Sequence, residues 1–281
     1  MRKVQELATS YRGRILEAKN LPALPDAVNE ITRLMATSSC STNQMAEIIE
    51  RDQALALKVL KMVNSPIYGF PGRITSVKNA LVLLGINVIR GLIISSAVFD
   101  AFNKYMIGLW THSVACSLAA VEVARAADLP RPEEYSIVGL LHDMGKVVFA
   151  MQIPAARAEV DALVSKDDIM FRDGEKIVLG FTHDKINAWM CEHWNLPLML
   201  KEALVYHHDP MNAQFHPEAA AVVHVSDFMA RLFECGFGGD DNVPPLDARA
   251  LRLLKINHQK IEYIMGELVD IYSDKTNLSI I

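Results

Sequence analysis

A chain of 281 residues, 51% of them apolar, is long enough to bury a sizeable core, and a formal charge of −5 gives it no long-range attraction for nucleic acid or an anionic membrane. The four cysteines, Cys40, Cys116, Cys191 and Cys235, form no Cys-x-x-Cys pair, which argues against a disulfide framework or a thiolate zinc site and for a reducing cytoplasm. Met1 to Tyr11 mixes Arg2, Lys3, Gln5 and Glu6 with few apolar residues and lacks the apolar core of a signal peptide.

Sparse glycine and proline, with apolar residues spaced three and four apart, predict an all-α protein. Helices are expected over 2–18, 26–37, 42–50, 53–64, 76–103, 107–127, 132–150, 154–165, 183–194, 197–206, 216–235, 246–254 and 257–272. Pro22 and Pro25 frame the start of the second helix, and Thr42 is the expected N-cap of the third. Asn64-Ser65-Pro66 ends the fourth, because proline disfavours helical geometry in the residue before it. The most hydrophobic stretch, Ala80 to Phe102, contains Asn87, Arg90 and Asp100. A central arginine costs about 2.5 to 3.5 kcal/mol on an insertion scale, so a buried helix is expected and not a membrane span. Gly236 to Pro245 reads as a linker. No histidine precedes residue 105 and all nine follow it. The expected organisation is therefore an N-terminal helix (1–19), an N-terminal lobe (20–105), a histidine-bearing lobe (106–235), the linker (236–245) and C-terminal helices (246–281).

Chemistry concentrates in the histidine-bearing lobe. His142 and Asp143 are adjacent in an apolar helical run, roughly 100° apart on a helix, and together could clasp a cation beside it. His112 shares a helical stripe with Cys116, Ala119, Ala120 and Val123, and faces inward as a ligand or as a core histidine bonded to a carbonyl. Asp227 lies within the mostly apolar run Ala219 to Phe233 and needs something positive. A metal, a histidine or Arg231 would serve, and taken alone the pair with Arg231 is favoured. His207-His208 at a helix end can send one ligand to each of two ions, or can lie on the surface. In His183-Asp184 the polar flanks and Lys185 make Asp184 a solvated charge at a helix N-terminus and not a ligand. Lys146, one turn beyond His142, either neutralises a phosphate or is an ordinary exposed charge. His193, His216, His224 and His258 are expected to be structural or exposed. Jointly His112, His142, Asp143, His183, His207, His208 and Asp227 offer nitrogen and oxygen donors without thiolate. That set suits one or two divalent ions, with iron or manganese favoured beside zinc, nickel and magnesium.

The series His112, His142-Asp143, Asp227 resembles the HD superfamily of metal-dependent phosphohydrolases. With His183 and His207-His208 it looks like the two-metal branch, which includes the HD-GYP cyclic-dinucleotide phosphodiesterases. It departs from them in two places. Asp209-Pro210-Met211-Asn212-Ala213 replaces Gly-Tyr-Pro, and Gly108 stands where some HD-GYP members carry a glutamate ligand. Leu21-Pro22-Ala23-Leu24-Pro25, Ile48 to Leu55, Asn64-Ser65-Pro66, Tyr68-Gly69, Ile74-Thr75-Ser76-Val77, Ala80 and Leu84-Gly85 closely resemble the HDOD domain.

That resemblance implies an all-helical bacterial signalling module, its N-terminal lobe packed on an HD-like bundle. It implies binding of a signalling protein or small phosphorylated ligand, while the charge disfavours nucleic acid and membrane. The last helices cap the domain or support dimerisation, so a monomer or homodimer is expected. Asp143 would bridge two ions, with His112, His142 and Asp227 serving mainly one and His183, His207 and His208 the other. An active member would hydrolyse a nucleotide or cyclic dinucleotide, Lys146 steadying the phosphate.

Overall fold

The structure, a computed structural model, describes residues 10–17, 26–36 and 41–278. The Leu21 to Pro25 motif, Cys40 and the start of the first expected helix lie outside them. Every regular element among the described residues is helical.

After α1 (10–16) come α2 (Asp26–Ala36), α3 (Thr42–Glu50) and α4 (Gln53–Val63). The cap of α3 is Ser41, one residue before the expected Thr42, and it closes a capping box with Gln44. Asp52 caps α4 through the Leu55 N–H at 3.0 Å. Asn64 ends α4 and pins the following loop, exchanging bonds of 2.7 and 2.8 Å with the backbone of Ile74.

α5 (Val77–Tyr105) kinks at Gly85, where φ is 78°. The Val77–Ser96 portion is apolar and long enough to cross a membrane, yet 61% of its most apolar window is buried inside the protein. α5 packs on α3, α4, α6 (Leu109–Ala126), α7 (Tyr135–Leu141) and α8 (Met144–Gln152). Its buried Arg90 donates to the Asn195 carbonyl at 2.6 Å, so the cation that argued against a span joins two parts of the fold.

α6 is the central helix, buried on nearly every side by α7, α13 (Pro217–Leu232) and α15 (His258–Ser273). The single helix expected over 132–150 is broken. A 3-10 turn (Pro132–Glu134) leads into α7, and the chain leaves helical geometry at Asp143 (φ −100°, ψ 13°) before α8 begins. Past α9 (Pro154–Asp167), α10 (Phe171–Leu179) is a helix that the periodicity did not reveal. Arg172, Asp173 and Lys176 make it polar and Gly174 lowers its intrinsic propensity. Packing on α9 supplies what the local sequence does not, with Phe171, Gly174 and Leu179 buried. α11 (His183–His193), α12 (Leu198–Tyr206) and α14 (Ala248–Leu253) complete the chain, and one apolar cluster runs continuously from Ile15 to Leu268.

Candidate metal centre

Two glycines bring the histidine-bearing elements together. A Cβ at Gly139 would stand 2.6 Å from the Cys116 carbonyl oxygen, so only glycine lets α7 lie this close to α6. His142, just past the end of α7, then meets His112 with ring centroids 5.2 Å apart. At Gly145 a Cβ would stand 2.4 Å from the His183 carbonyl oxygen, which sets the start of α8 against α11. Buried Asn187 ties the junction. Its Nδ2 donates to the carbonyls of His142 (2.6 Å) and Leu204 (2.9 Å), and its Oδ1 accepts the Gly145 N–H (2.8 Å).

Asp143 occupies the middle of the site. Its Oδ2 lies 3.3 Å from His142 Nε2 and 3.8 Å from His112 Nε2, while His112 Nε2 is 3.2 Å from Asp227 Oδ1. Its Oδ1 turns the other way, 3.3 Å from His183 Nε2 and 3.9 Å from His207 Nε2. His208 Nε2 stands 3.1 Å from His183 Nε2. The donors thus form two sets with one carboxylate between them.

The rings are aimed from behind. Nδ1 of His142 donates to the Gly139 carbonyl (2.7 Å), Nδ1 of His207 to the Leu204 carbonyl (2.9 Å) and Nδ1 of His183 to Glu175 Oε2 (2.7 Å). Each Nε2 is left toward the centre, the arrangement by which outer partners orient imidazole ligands. His224, buried and outside both sets, donates from Nδ1 to the His207 carbonyl and accepts the Asp247 N–H at Nε2, each at 2.9 Å.

The buried atoms His142 Nε2, His207 Nε2, Asp143 Oδ1 and Asp184 Oδ1 have no hydrogen-bond partner. Leaving a buried polar atom unsatisfied costs about 1–3 kcal/mol, more if charged, and a cation shared among these atoms would remove that cost. The donors therefore fit a divalent metal.

The electrostatics divide the donors. Burial would lower His142 and His183, but Asp143 raises the first, and Glu175 and Asp184 push the second up to about 10, so these two take an ion only in exchange for a proton. Burial would raise the Asp143 carboxyl, but His142 and Lys146 outweigh it and hold it well below the usual carboxylate range. Burial is likewise overcome at Asp227, held low by the hydrogen bond to His112. Burial pushes His207 down to about 4, and His208 is lowered by burial and by its histidine neighbours, which keeps both neutral as metal ligands must be. Cys116 Sγ lies 3.5 Å from His112 Nε2, beside the first set, and burial raises its thiol well above the ordinary value.

The seven expected donors converge, and three readings of single residues change. Asp184 is not solvated but buried, with Oδ2 accepting from Thr182 Oγ1 at 2.7 Å. Lys146 is not an exposed charge. It is 7% exposed, its Nζ donating to Asp143 Oδ2 (2.7 Å) and the Gly238 carbonyl (2.8 Å). Asp227 faces His112, while Arg231 turns to Asp240 and the Asn242 carbonyl. The Gly236 to Pro245 segment, expected as a linker, supplies part of the site's wall. Phe237 N–H bonds the Gly108 carbonyl (3.1 Å) and Asp240 accepts the Phe171 N–H (2.7 Å).

Glu175 and Asn187 escaped notice because each acts on a partner on another helix, and a polar side chain in a helical pattern carries no mark of burial. A cavity of about 240 Å³ reaches both donor sets, lined among others by His112, Lys146, Arg172, His208, Asp227 and Arg231. A larger groove of about 830 Å³, between α4 and the 64–75 loop, contains neither histidine nor carboxylate in its lining and lies apart from this chemistry.

The chain is 26% identical over 208 residues to an uncharacterized protein of Treponema pallidum (strain Nichols), a match covering 73% of this chain and 40% of that protein. It thus spans about 40% of the length of that curated relative. Its fold is similar to that of an HDOD domain protein of unknown function from Geobacter sulfurreducens, with TM-score 0.78 and 22% identity over 99% of this chain and 97% of the other. A candidate signal-transduction protein of Marinobacter aquaeolei VT8 aligns with TM-score 0.71 and 20% identity, over 92% of this chain and 58% of that one. A candidate metal-dependent phosphohydrolase of Shewanella amazonensis SB2B aligns with TM-score 0.62 and 14% identity, over 100% and 99%. These likenesses establish a shared all-α fold. Residues 21–210, from the N-terminal lobe through His207-His208, match the HDOD domain, and the chain belongs to the HDOD domain family.

Proposed function

We propose that this protein is an HDOD signalling module that holds one or two divalent cations, iron or manganese foremost, and binds a small phosphorylated ligand above them. The four orphaned donor atoms on His142, His207, Asp143 and Asp184 carry the metal part of this reading. When bound, such cations supply positive charge and Lewis acidity toward a phosphoryl group.

Arg172, Lys176 and Arg231 line the cavity but are paired with Asp209, Asp173 and Asp240, so the attraction for an anionic ligand would come chiefly from the bound cations. Lys146 neutralises Asp143 from the cavity side. Family membership supports a signalling role, as does the signal-transduction name of the Marinobacter neighbour. Metal analysis of protein purified without chelator or affinity tag is expected to find at least about one equivalent per chain. Less than that after reconstitution with iron, manganese, zinc and nickel would refute the metal site.

A second reading, metal-dependent phosphohydrolysis, is favoured by the opening of one cavity onto both donor sets, and by the name of the Shewanella neighbour. It predicts turnover of nucleotides or cyclic dinucleotides by the metal-loaded protein, abolished in His142→Ala. Saturable binding of those ligands without turnover would leave the regulatory role alone.

A further inference from the structure

Asp184 stands outside the seven donors that the sequence brings to notice, yet it is aimed into the second set. It is 9% exposed at the start of α11. Its two oxygens have different surroundings. Oδ2 accepts from Thr182 Oγ1 and lies 3.6 Å from Arg172 Nε, on the outer side. Oδ1 is buried without a hydrogen-bond partner, 3.5 Å from His183 Nε2 and 4.0 Å from His208 Nε2. It also lies 3.8 Å from His207 Nδ1, but that nitrogen already donates to Leu204, so His207 can serve a cation only through Nε2.

Donor atoms about 2.1 Å from a common six-coordinate ion stand about 3.0 Å apart when adjacent and about 4.2 Å apart when opposite. The separations from Asp184 Oδ1 to His183 and His208, and the 3.1 Å between those two histidines, fall in that interval. Asp184 Oδ1 faces the Nε2 atoms of His183 and His208 without a hydrogen bond to either.

Resting on the two-cation reading above, the geometry points to Asp184 Oδ1 as a direct ligand of the second cation, beside His183, His207, His208 and the shared Asp143. Two carboxylates and three imidazoles suit manganese or ferrous iron better than four-coordinate structural zinc. The first set, His112, His142, Asp227 and Asp143, has one donor fewer. More positions are therefore open on the first cation, where His112 and Asp227 line the cavity that His208 of the second set also reaches.

The test is titration of the full chain with manganese alone, followed by calorimetry and electron paramagnetic resonance. The unaltered protein is expected to take two ions with the signal of a spin-coupled pair. Asp184→Asn should keep the first ion, which also reports an intact fold, while the second weakens by more than about 100-fold, beyond what loss of an outer partner causes. Its spectrum should become that of isolated ions. Two ions bound by Asp184→Asn with the second weakened by less than about 100-fold would overturn the assignment and leave the two-cation reading standing. Fewer than two ions in the unaltered protein would overturn both. Should the variant not fold, anomalous diffraction from manganese-soaked crystals of the unaltered chain decides. A peak within about 2.3 Å of Asp184 Oδ1 supports ligation, and one beyond about 3 Å excludes it.

Discussion

At the scale of single residues the centre depends on side chains that would never touch an ion. Glu175, fully buried, accepts from both the ring and the backbone N–H of His183, at 2.7 and 3.1 Å. Glu175→Gln keeps the shape but replaces a carboxylate that raises the donor strength of the imidazole. Manganese affinity should fall about 10- to 100-fold with the circular dichroism spectrum unchanged. His142-Asp143 was legible in the sequence because two polar residues interrupt an apolar run. Glu175 was not, because its partner lies eight positions away on another helix and its burial depends on the docking of α10.

Among the elements, the approach of α7 to α6 sets the distance between His142 and His112. Gly139→Ala would place a methyl 2.6 Å from the Cys116 carbonyl oxygen, backbone that cannot rotate away. A destabilisation of about 1–3 kcal/mol in urea unfolding is expected, together with loss of metal from the first set.

A second element-level device is the clamp between α12 and the turn before α13. Glu202 accepts the backbone N–H groups of Gln214 (3.0 Å), Phe215 (2.9 Å) and His216 (2.6 Å). Burial would raise its carboxyl, but these three donors outweigh burial and lower it. A depressed folded pKa means stability that is present above the unfolded value, about 4.3, and lost as pH falls through the folded one. Glu202→Gln should therefore cost roughly 1–3 kcal/mol at pH 7, and the gap from the unaltered protein should close below about pH 4. A gap that does not narrow as pH falls from 7 towards the acid limit of folding would count against the clamp.

For the molecule as a whole, the two donor sets join α6, the α7–α8 junction, α11, α12 and α13, so a bound cation would stabilise the folded state and not one helix. At about 100 times the dissociation constant one ion adds about 2.7 kcal/mol. In a chain of this size that corresponds to a melting temperature about 5 °C higher. Calorimetry of manganese-loaded protein before and after dialysis against a chelator should show that difference, and its absence would mean that the donors do not share a cation.

The sequence by itself determined the helical class, most helix positions and the identity of seven candidate donors, because helical periodicity and the expense of burying charge are local properties of residue type. Tertiary structure decided what periodicity cannot express. It broke the 132–150 helix at Asp143, folded α10 against α9, and turned a glycine-rich segment into a wall of the site. It also gave Asp227 to His112 and buried Asp184, whose polar neighbours in sequence had suggested water. Which partner meets a buried charge is set by the packing of distant elements, and at His142-Asp143 that packing brings α6, α11 and the end of α12 to one carboxylate, and α13 to it through His112.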